Sequence, residues 1–129
     1  MELKNMGLDE KQSELETILA RLAEFPDILG SAIVRKDGLM ITSSLSGKLD
    51  SRAIAAMAAA IVGTAETSAS ELGLGKFPQV IVEAEKGKLI ATGAGTQALL
   101  VCMVRATGNL GLVLLEMGRA SEKISNKLE

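Results

Sequence analysis

The chain has 129 residues, 47% of them hydrophobic and 23% charged, and its net charge is −2. This length fits one domain with enough aliphatic residues for a core, and the composition excludes a disordered chain. The sequence has no histidine and a single cysteine. It therefore lacks the commonest general base and can form neither an internal disulfide nor a multi-cysteine zinc site. Two aromatic residues and a slightly acidic balance argue against nucleic-acid binding.

Targeting signals are not evident in this sequence. Charged residues occur throughout the first twenty positions, so no secretory leader is predicted. The longest uncharged stretches are shorter than the roughly 20 apolar residues that a membrane span requires. We therefore expect a cytoplasmic protein without stable membrane insertion.

The beginning of the chain predicts a helix. Residues 1–7 are expected to form a flexible N-terminus, followed by a single domain over residues 8–127. Apolar residues recur at helical spacing from Leu8 to Leu22. Pro26 then ends the helix, because proline disfavours helical geometry at the residue before it.

A β-hairpin and a second helix follow. The Asp37-Gly38 pair separates two β-prone runs, and this pattern predicts a hairpin over residues 31–43 because the tight turn requires positive φ. Asp50 is expected to cap a helix over Ser51–Leu72 by accepting hydrogen bonds from its first backbone amides. Gly73 is placed to end that helix in a left-handed conformation.

The second β region starts after this helix. Pro78 is expected to open it, and Val80–Val82 forms the centre of its first strand. A polar turn over residues 85–88 leads to a return strand at Leu89–Thr92, and another turn is predicted over residues 93–95.

The last strand and the last helix complete the pattern. Ala98–Val104 has no polar side, so this strand is expected to be central and covered on both faces. Cys102 within it is interpreted as a core residue. Asn109 is a plausible cap for a final helix whose apolar face comprises Leu110, Val113, Leu114, Met117 and Ile124.

The predicted order is α-β-β-α-β-β-β-α. Short turns join most of the strands, so neighbouring strands should be antiparallel. The sequence therefore predicts an α+β fold, in which helices cover both faces of one five-stranded antiparallel sheet.

The middle helix is the most informative segment, because residues 53–65 carry no charge and Thr64 is their only polar residue. Its larger side chains and Ala65 are expected to cover the sheet: Ile54, Met57, Ile61 and Ala65. The small residues Ala56, Ala59, Ala60 and Gly63 lie elsewhere around the helix. Small side chains let a second backbone approach, and an uncovered apolar helix would leave a large exposed patch. We therefore predict that two copies pack together; the alternative is that alanine only favours helix formation.

The strand at Val80–Val82 is the second feature that indicates a partner. If it lies at the edge of the sheet, it is an apolar edge with little charge to guard it, and such edges pair with other strands. A twofold axis beside it would join two sheets into one and bury both surfaces. The alternative is that a loop covers the edge.

Several short motifs are better explained by structure than by chemistry. Gly73-Leu74-Gly75-Lys76 lacks the spacing of a phosphate-binding loop and follows a helix, so it is interpreted as a helix stop. Gly93-Ala94-Gly95-Thr96 is half of a dinucleotide fingerprint and is interpreted as a turn. The serines near Lys48 lack Ser-x-x-Lys spacing. No cofactor and no catalytic residue are predicted, and an enzyme with lysine or serine chemistry is the weakest hypothesis.

The same segments resemble a known family. The chain is similar to the roadblock family of dynein light-chain type, and within it to the MglB-like single-domain prokaryotic members. The matching stretches, in order along the chain, are residues 32–39, 50–57, 70–75 and 109–113.

The resemblance implies a profilin-like sandwich, with the middle helix alone on one face of the sheet. It also implies a homodimer through the middle helix and the third strand. Family members bind small Ras-like GTPases, some as activating proteins, or serve as adaptors in larger assemblies.

These observations give two hypotheses for function. The first is a non-enzymatic homodimeric platform that binds a small Ras-like GTPase and modulates its nucleotide cycle. The second is a structural adaptor of a motor or signalling complex that has no effect on hydrolysis. The predicted dimer interface comprises Ile54, Ala56, Met57, Ala60, Gly63, Val80, Ile81 and Val82. The candidate partner-contacting residues are Arg35 and Arg52, although each is also compatible with a solvated surface charge.

Overall fold

A computed structural model describes residues 2–76 and 79–129, and for residues 2–8 only the backbone. Eight elements follow the predicted order. They are α1 (Glu2–Leu22), β1 (Ile28–Arg35), β2 (Met40–Ser44), α2 (Ser51–Glu71), β3 (Gln79–Ala84), β4 (Gly87–Ala94), β5 (Ala98–Arg105) and α3 (Leu110–Leu128). The α+β class and the element order are therefore confirmed.

Most predicted boundaries agree with the structure to within a few residues. Helix α1 begins at Glu2, so the predicted start near Leu8 is wrong. Strand β4 runs from Gly87 to Ala94, so the turn predicted over residues 85–88 ends too late and the turn predicted over residues 93–95 begins too early. Gly95, with φ of 83°, supplies the left-handed residue that this turn requires. The predicted role of Pro78 lies outside the described residues.

The predicted helix signals act as expected. The Asp50 side chain accepts hydrogen bonds from the backbone N–H groups of Arg52 and Ala53, and the Asn109 side chain accepts one from Leu112. Gly73 follows α2 with φ of 69°. These contacts satisfy backbone groups that a helix terminus leaves without intrahelical partners.

The five strands form one antiparallel sheet in the order β2-β1-β5-β4-β3. Strand β5 lies at its centre, and nearly all of its residues are buried, as predicted from its lack of polar residues. The predicted β1–β2 hairpin is present, and Gly38 in its turn has φ of 96°. Strands β2 and β3 are the two edges.

One face of the sheet is covered by two helices. Buried side chains of α1 and α3 pack on alternate residues of β1, β4 and β5 to form the larger core. The helices contribute Leu15, Ile18, Leu19, Leu22, Val113, Met117, Ala120 and Ile124, and the strands contribute Ile33, Ile90, Leu100 and Cys102 among others.

The other face is covered by α2 alone, and the predicted sheet-covering residues of this helix are corrected. Ala55, Ala58 and Val62 are the buried residues of α2 and pack on the sheet. Ile54, Ile61 and Ala65 are only partly buried, and Met57 is 55% exposed. Side-chain size misled the prediction: the helix lies on the sheet through single methyl groups, which allow close approach.

This correction predicts that added volume destabilises the protein on the sheet-facing side of α2 and has little effect on the exposed side. Ala58 is 1% exposed, so Ala58→Leu should overpack the helix–sheet contact and lower the free energy of unfolding by about 1–3 kcal/mol. Ala53→Leu is the matched control, because Ala53 is exposed and its change should stay within about 0.5 kcal/mol. Urea unfolding at one protein concentration measures the free energy of unfolding of both variants. Equal destabilisation by the two would contradict the assignment of faces.

Candidate partner-binding surface

Between residues 53 and 65, the outer side of α2 carries no charge and is mainly apolar. Ala56, Met57, Ala60 and Gly63 are exposed, and Ile54 is partly buried beside them. By length and composition, α2 is the one helix of the described chain that is apolar enough to cross a membrane, yet only 17% of its most apolar window is buried. Most of this hydrophobic helix therefore faces away from the sheet that supports it.

Strand β3 is an open edge. It pairs with β4 on one side, and none of the hydrogen bonds formed by described turns and loops reaches residues 79–84. Glu83 is its one charged residue, and it lies opposite Lys88 of β4. The condition on which the edge-pairing prediction depended is thus met, and no loop among the described residues hydrogen-bonds to this edge.

The predicted trio on β3 is divided between the two faces of the sheet. Val80 packs with the α2 core, whereas Ile81 packs with the α1–α3 core. Val82, two residues from Val80 and therefore on the same face, is 40% exposed. Val80 and Val82 can thus extend the apolar surface beside α2, while Ile81 contributes to an interface only through its backbone.

Two residues that the sequence analysis did not select belong to the same strip. Leu89 lies opposite Val82 on β4, and Met103 lies opposite Leu89 on β5. Both are partly buried, and both lie on the α2 side of the sheet because paired residues point to the same face. Only the strand register shows this alignment, since the sequence does not indicate which strands are neighbours.

The two candidate arginines lie at the β1–β2 turn and at the start of α2. Arg35 is exposed and donates a hydrogen bond of 2.7 Å to the Asp37 carboxylate, so its charge is already paired. Arg52 is exposed, and it forms no ion pair within the described part of the chain. A Cβ built on Gly38 would lie 3.8 Å from the Cα of Ala56, so the turn packs against α2 one helical turn after Arg52.

The remaining reactive groups do not form a cluster. Cys102 is fully buried, and desolvation raises the pKa of its thiol to about 12. Backbone and side-chain hydrogen bonds from Thr96 lower the pKa of Glu129 at the end of α3. Among the residues described, no group of three or more Cys, Asp or Glu side chains is arranged to hold a metal ion.

The chain is similar to a known domain family and to an archaeal protein. Residues 14–103 match the profile of the Roadblock/LC7 domain. The chain is 42% identical over 110 residues to an uncharacterized protein of Methanocaldococcus jannaschii, an alignment that covers 85% of this chain and 96% of the relative.

Solved structures show the same fold. Myxococcus xanthus MglB is 24% identical with a TM-score of 0.84, covering 91% of this chain and 89% of MglB. A second MglB structure, described as having a tetrameric arrangement, is 21% identical with a TM-score of 0.82 and the same coverage. Acanthamoeba castellanii profilin II is 15% identical with a TM-score of 0.62, covering 89% of this chain and 96% of profilin. The fold is thus a profilin-like sandwich of the roadblock type.

Burial of Cys102 predicts a protected thiol and a defined pH dependence. The native protein should resist iodoacetamide at pH 8, whereas the unfolded protein should react. The folded-state pKa of about 12 exceeds the ordinary value of 9.0, so the contribution of this group to stability is complete below pH 9 and is lost as the pH rises from 9 towards 12. In Cys102→Ala, the free energy of unfolding measured with a chemical denaturant should not show this part of the decrease at alkaline pH. Rapid alkylation of the native protein would contradict the burial.

Proposed function

The chain belongs to the Roadblock/LC7 domain family, and we propose that it is a homodimeric, non-enzymatic platform in the cytoplasm. This platform binds a small Ras-like GTPase and modulates its nucleotide cycle. The observation that supports the proposal is that an apolar outer side of α2 and an open apolar edge at β3 occur in the same molecule. A surface of this kind favours protein association over chemistry, because it presents methyl groups and backbone without convergent polar groups.

The proposed homodimer would cover both features, the outer side of α2 and the open edge of β3, at once. A twofold axis next to β3 would pair two β3 strands antiparallel and extend the sheet across both copies. The same operation would place the two α2 helices on one face of the joined sheet, where Ala60 and Gly63 permit close backbone approach. Met57 and Val82 would then be removed from water. Stable interfaces bury about 1,600 Å² in total, so both features are needed.

Relatives support self-association without establishing it for this chain. One MglB structure is described as having a tetrameric arrangement, so a protein with this fold assembles from several copies.

The proposed action on the GTPase is positioning. A rigid dimer face can hold the switch segments of a GTPase in their reactive arrangement and so favour one nucleotide state. An arginine supplied to the GTPase site would be a different mechanism, worth roughly 10³–10⁵ in rate. Arg35 is poorly suited to that role because Asp37 already pairs its guanidinium, which leaves Arg52 as the alternative donor.

A charged side chain on the outer side of α2 should break the dimer. In Ala60→Arg, two arginines would face each other across the twofold axis, and their burial without partners is strongly unfavourable. We expect a monomer, or a dimer weakened by about 100-fold or more, by sedimentation equilibrium. Ala20→Arg is the matched control, because Ala20 is exposed on α1 at the other face of the sheet. A dimer mass in both variants would show that α2 does not form part of the interface.

The GTPase proposal is tested by retention followed by kinetics. The immobilised protein should retain a small P-loop GTPase from the source cell, and retention should differ between GTP and GDP. When the protein is added to that purified GTPase, the rate of single-turnover hydrolysis or of nucleotide release should change. Retention with no change in either rate would support the structural adaptor instead. Failure to retain any GTPase in either nucleotide state would contradict the proposal.

The two mechanisms differ in what Arg52 contributes. If the platform positions the switch segments, Arg52→Ala and Arg35→Ala should each alter the rate effect less than about tenfold, as expected for exposed charges. If Arg52 enters the GTPase site, Arg52→Ala should remove about 10³-fold or more of the acceleration while leaving binding in place. Single-turnover rates at saturating platform separate the two outcomes.

A further inference from the structure

A cleft of about 680 Å³ opens between the C-terminal half of α2 and the neighbouring ends of β4 and β5. Val62, Ala91 and Leu99 form its apolar floor, and Lys36, Glu66 and Lys76 are among the residues at its rim. Its volume lies within the range of about 300–1,000 Å³ that is typical of small-molecule sites.

The missing side chain at Gly93 of β4 leaves part of the cleft open beside the C-terminal half of α2. Gly93 lies opposite Leu99 on β5 and lines the cleft. A Cβ built on Gly93 would meet no atom within 4 Å, so the space above it is open. A larger residue at this position would fill the cleft without displacing the backbone.

The polar groups at the rim are mainly cationic. Lys76 has no acidic partner within 4.0 Å among the described residues, and Lys36 reaches Glu66 only at 4.0 Å. The Ser70 hydroxyl also lines the cleft. Thr96 is less available, because its backbone N–H and its hydroxyl both donate to the Glu129 carboxylate, at 2.5 and 2.8 Å. The side-chain donors among these lining residues are therefore the ammonium groups of Lys76 and Lys36 and the hydroxyl of Ser70, and Lys36 is shared with Glu66.

The rim is held in place by backbone contacts. The backbone N–H of Lys36 donates to the carbonyl of Gln97 at 2.9 Å, which links the β1–β2 turn to the β4–β5 turn. Glu129 fixes the latter turn from the other side of the sheet through Thr96. Lys36 is thus attached to a backbone framework that does not depend on a ligand.

The cleft borders one part of the proposed dimer surface and lies apart from another. Successive residues of an α-helix are separated by 100°, since 3.6 residues make one turn. Val62 faces the sheet, and Glu66 and Ser70 follow the flank of α2 that also carries Gly63, whereas Ile54 and Met57 lie on the other flank.

We propose that this cleft is a binding site for a small aliphatic carboxylate. Its chain would lie above Gly93, against Val62, Ala91 and Leu99, and displace water from the open space there. Its carboxylate would contact Lys76 and Lys36 at the rim. Glu66 opposes this binding, because its carboxylate both repels the ligand head group and competes for Lys36. This inference is independent of the GTPase proposal.

Octanoate is a suitable probe, and the shape of the site is tested first. Titration into the ¹⁵N-labelled protein should shift amide signals of β4, the β4–β5 turn and the C-terminal half of α2. Gly93→Val should weaken octanoate binding by more than about tenfold while preserving the remaining spectrum. Gly118→Ala on α3 is the matched control, because its Cβ also meets no atom within 4 Å and lies away from the cleft. Equal affinity in Gly93→Val and Gly118→Ala would overturn the proposal.

Charge variants test the site without altering the sheet. Lys76→Met should weaken octanoate binding by about threefold or more, and Glu66→Gln should strengthen it by a similar factor, as expected for partly exposed charges. Octanol and octylammonium should bind more weakly than octanoate to the unaltered protein. Absence of octanoate shifts in the cleft, equal binding of all three probes, or unchanged affinity in both charge variants would each contradict a carboxylate site.

Discussion

The length of the strands relative to the width of one helix is the constraint on which the rest of the structure depends. Helix α2 crosses the sheet and contacts both edge strands, β2 and β3. A helix with its side chains is about 10–12 Å across, whereas an eight-residue strand is about 26 Å long. On one face, α1 and α3 together cover the sheet. On the other face α2 is alone, so part of an apolar sheet surface is left beside it.

The small side chains of α2 intensify this effect. Its contact with the sheet is made by Ala55, Ala58 and Val62, which bring the helix close but extend little to either side. On one flank the strip that includes Val82, Leu89 and Met103 is incompletely covered. On the other flank the absence of a side chain at Gly93 leaves a cleft. The proposed dimer surface and the proposed ligand site are thus two consequences of the same narrow cover.

The sequence predicted most of the fold because local signals agreed with each other. The Asp37-Gly38 turn, the caps at Asp50 and Asn109, and the fully apolar strand β5 all have physical causes that act within a few residues. The sheet-facing side of α2 was predicted incorrectly. An almost uniformly apolar helix has no polar side to orient it, and size favoured Met57, which is in fact exposed.

Other features could not be predicted from single-sequence patterns. The pairing of β1 with β5, which places β3 at an edge, depends on residues about seventy positions apart. Leu89 and Met103 join the apolar strip only through the register of three strands. The open space of the cleft depends on the missing side chain at Gly93, and the sequence pattern indicates only a turn at this glycine.

In the proposed dimer, a second copy of the chain covers the open edge of β3 and the outer side of α2. Amide hydrogen exchange measured over a dilution series tests it most directly, because the same amides are observed in the associated and dissociated protein. We expect protection of β3 and α2 to fall on dilution together with the particle mass, while protection of β1 and β5 stays constant. Protection of β3 and α2 that is independent of concentration, in a protein of monomer mass throughout, would contradict it.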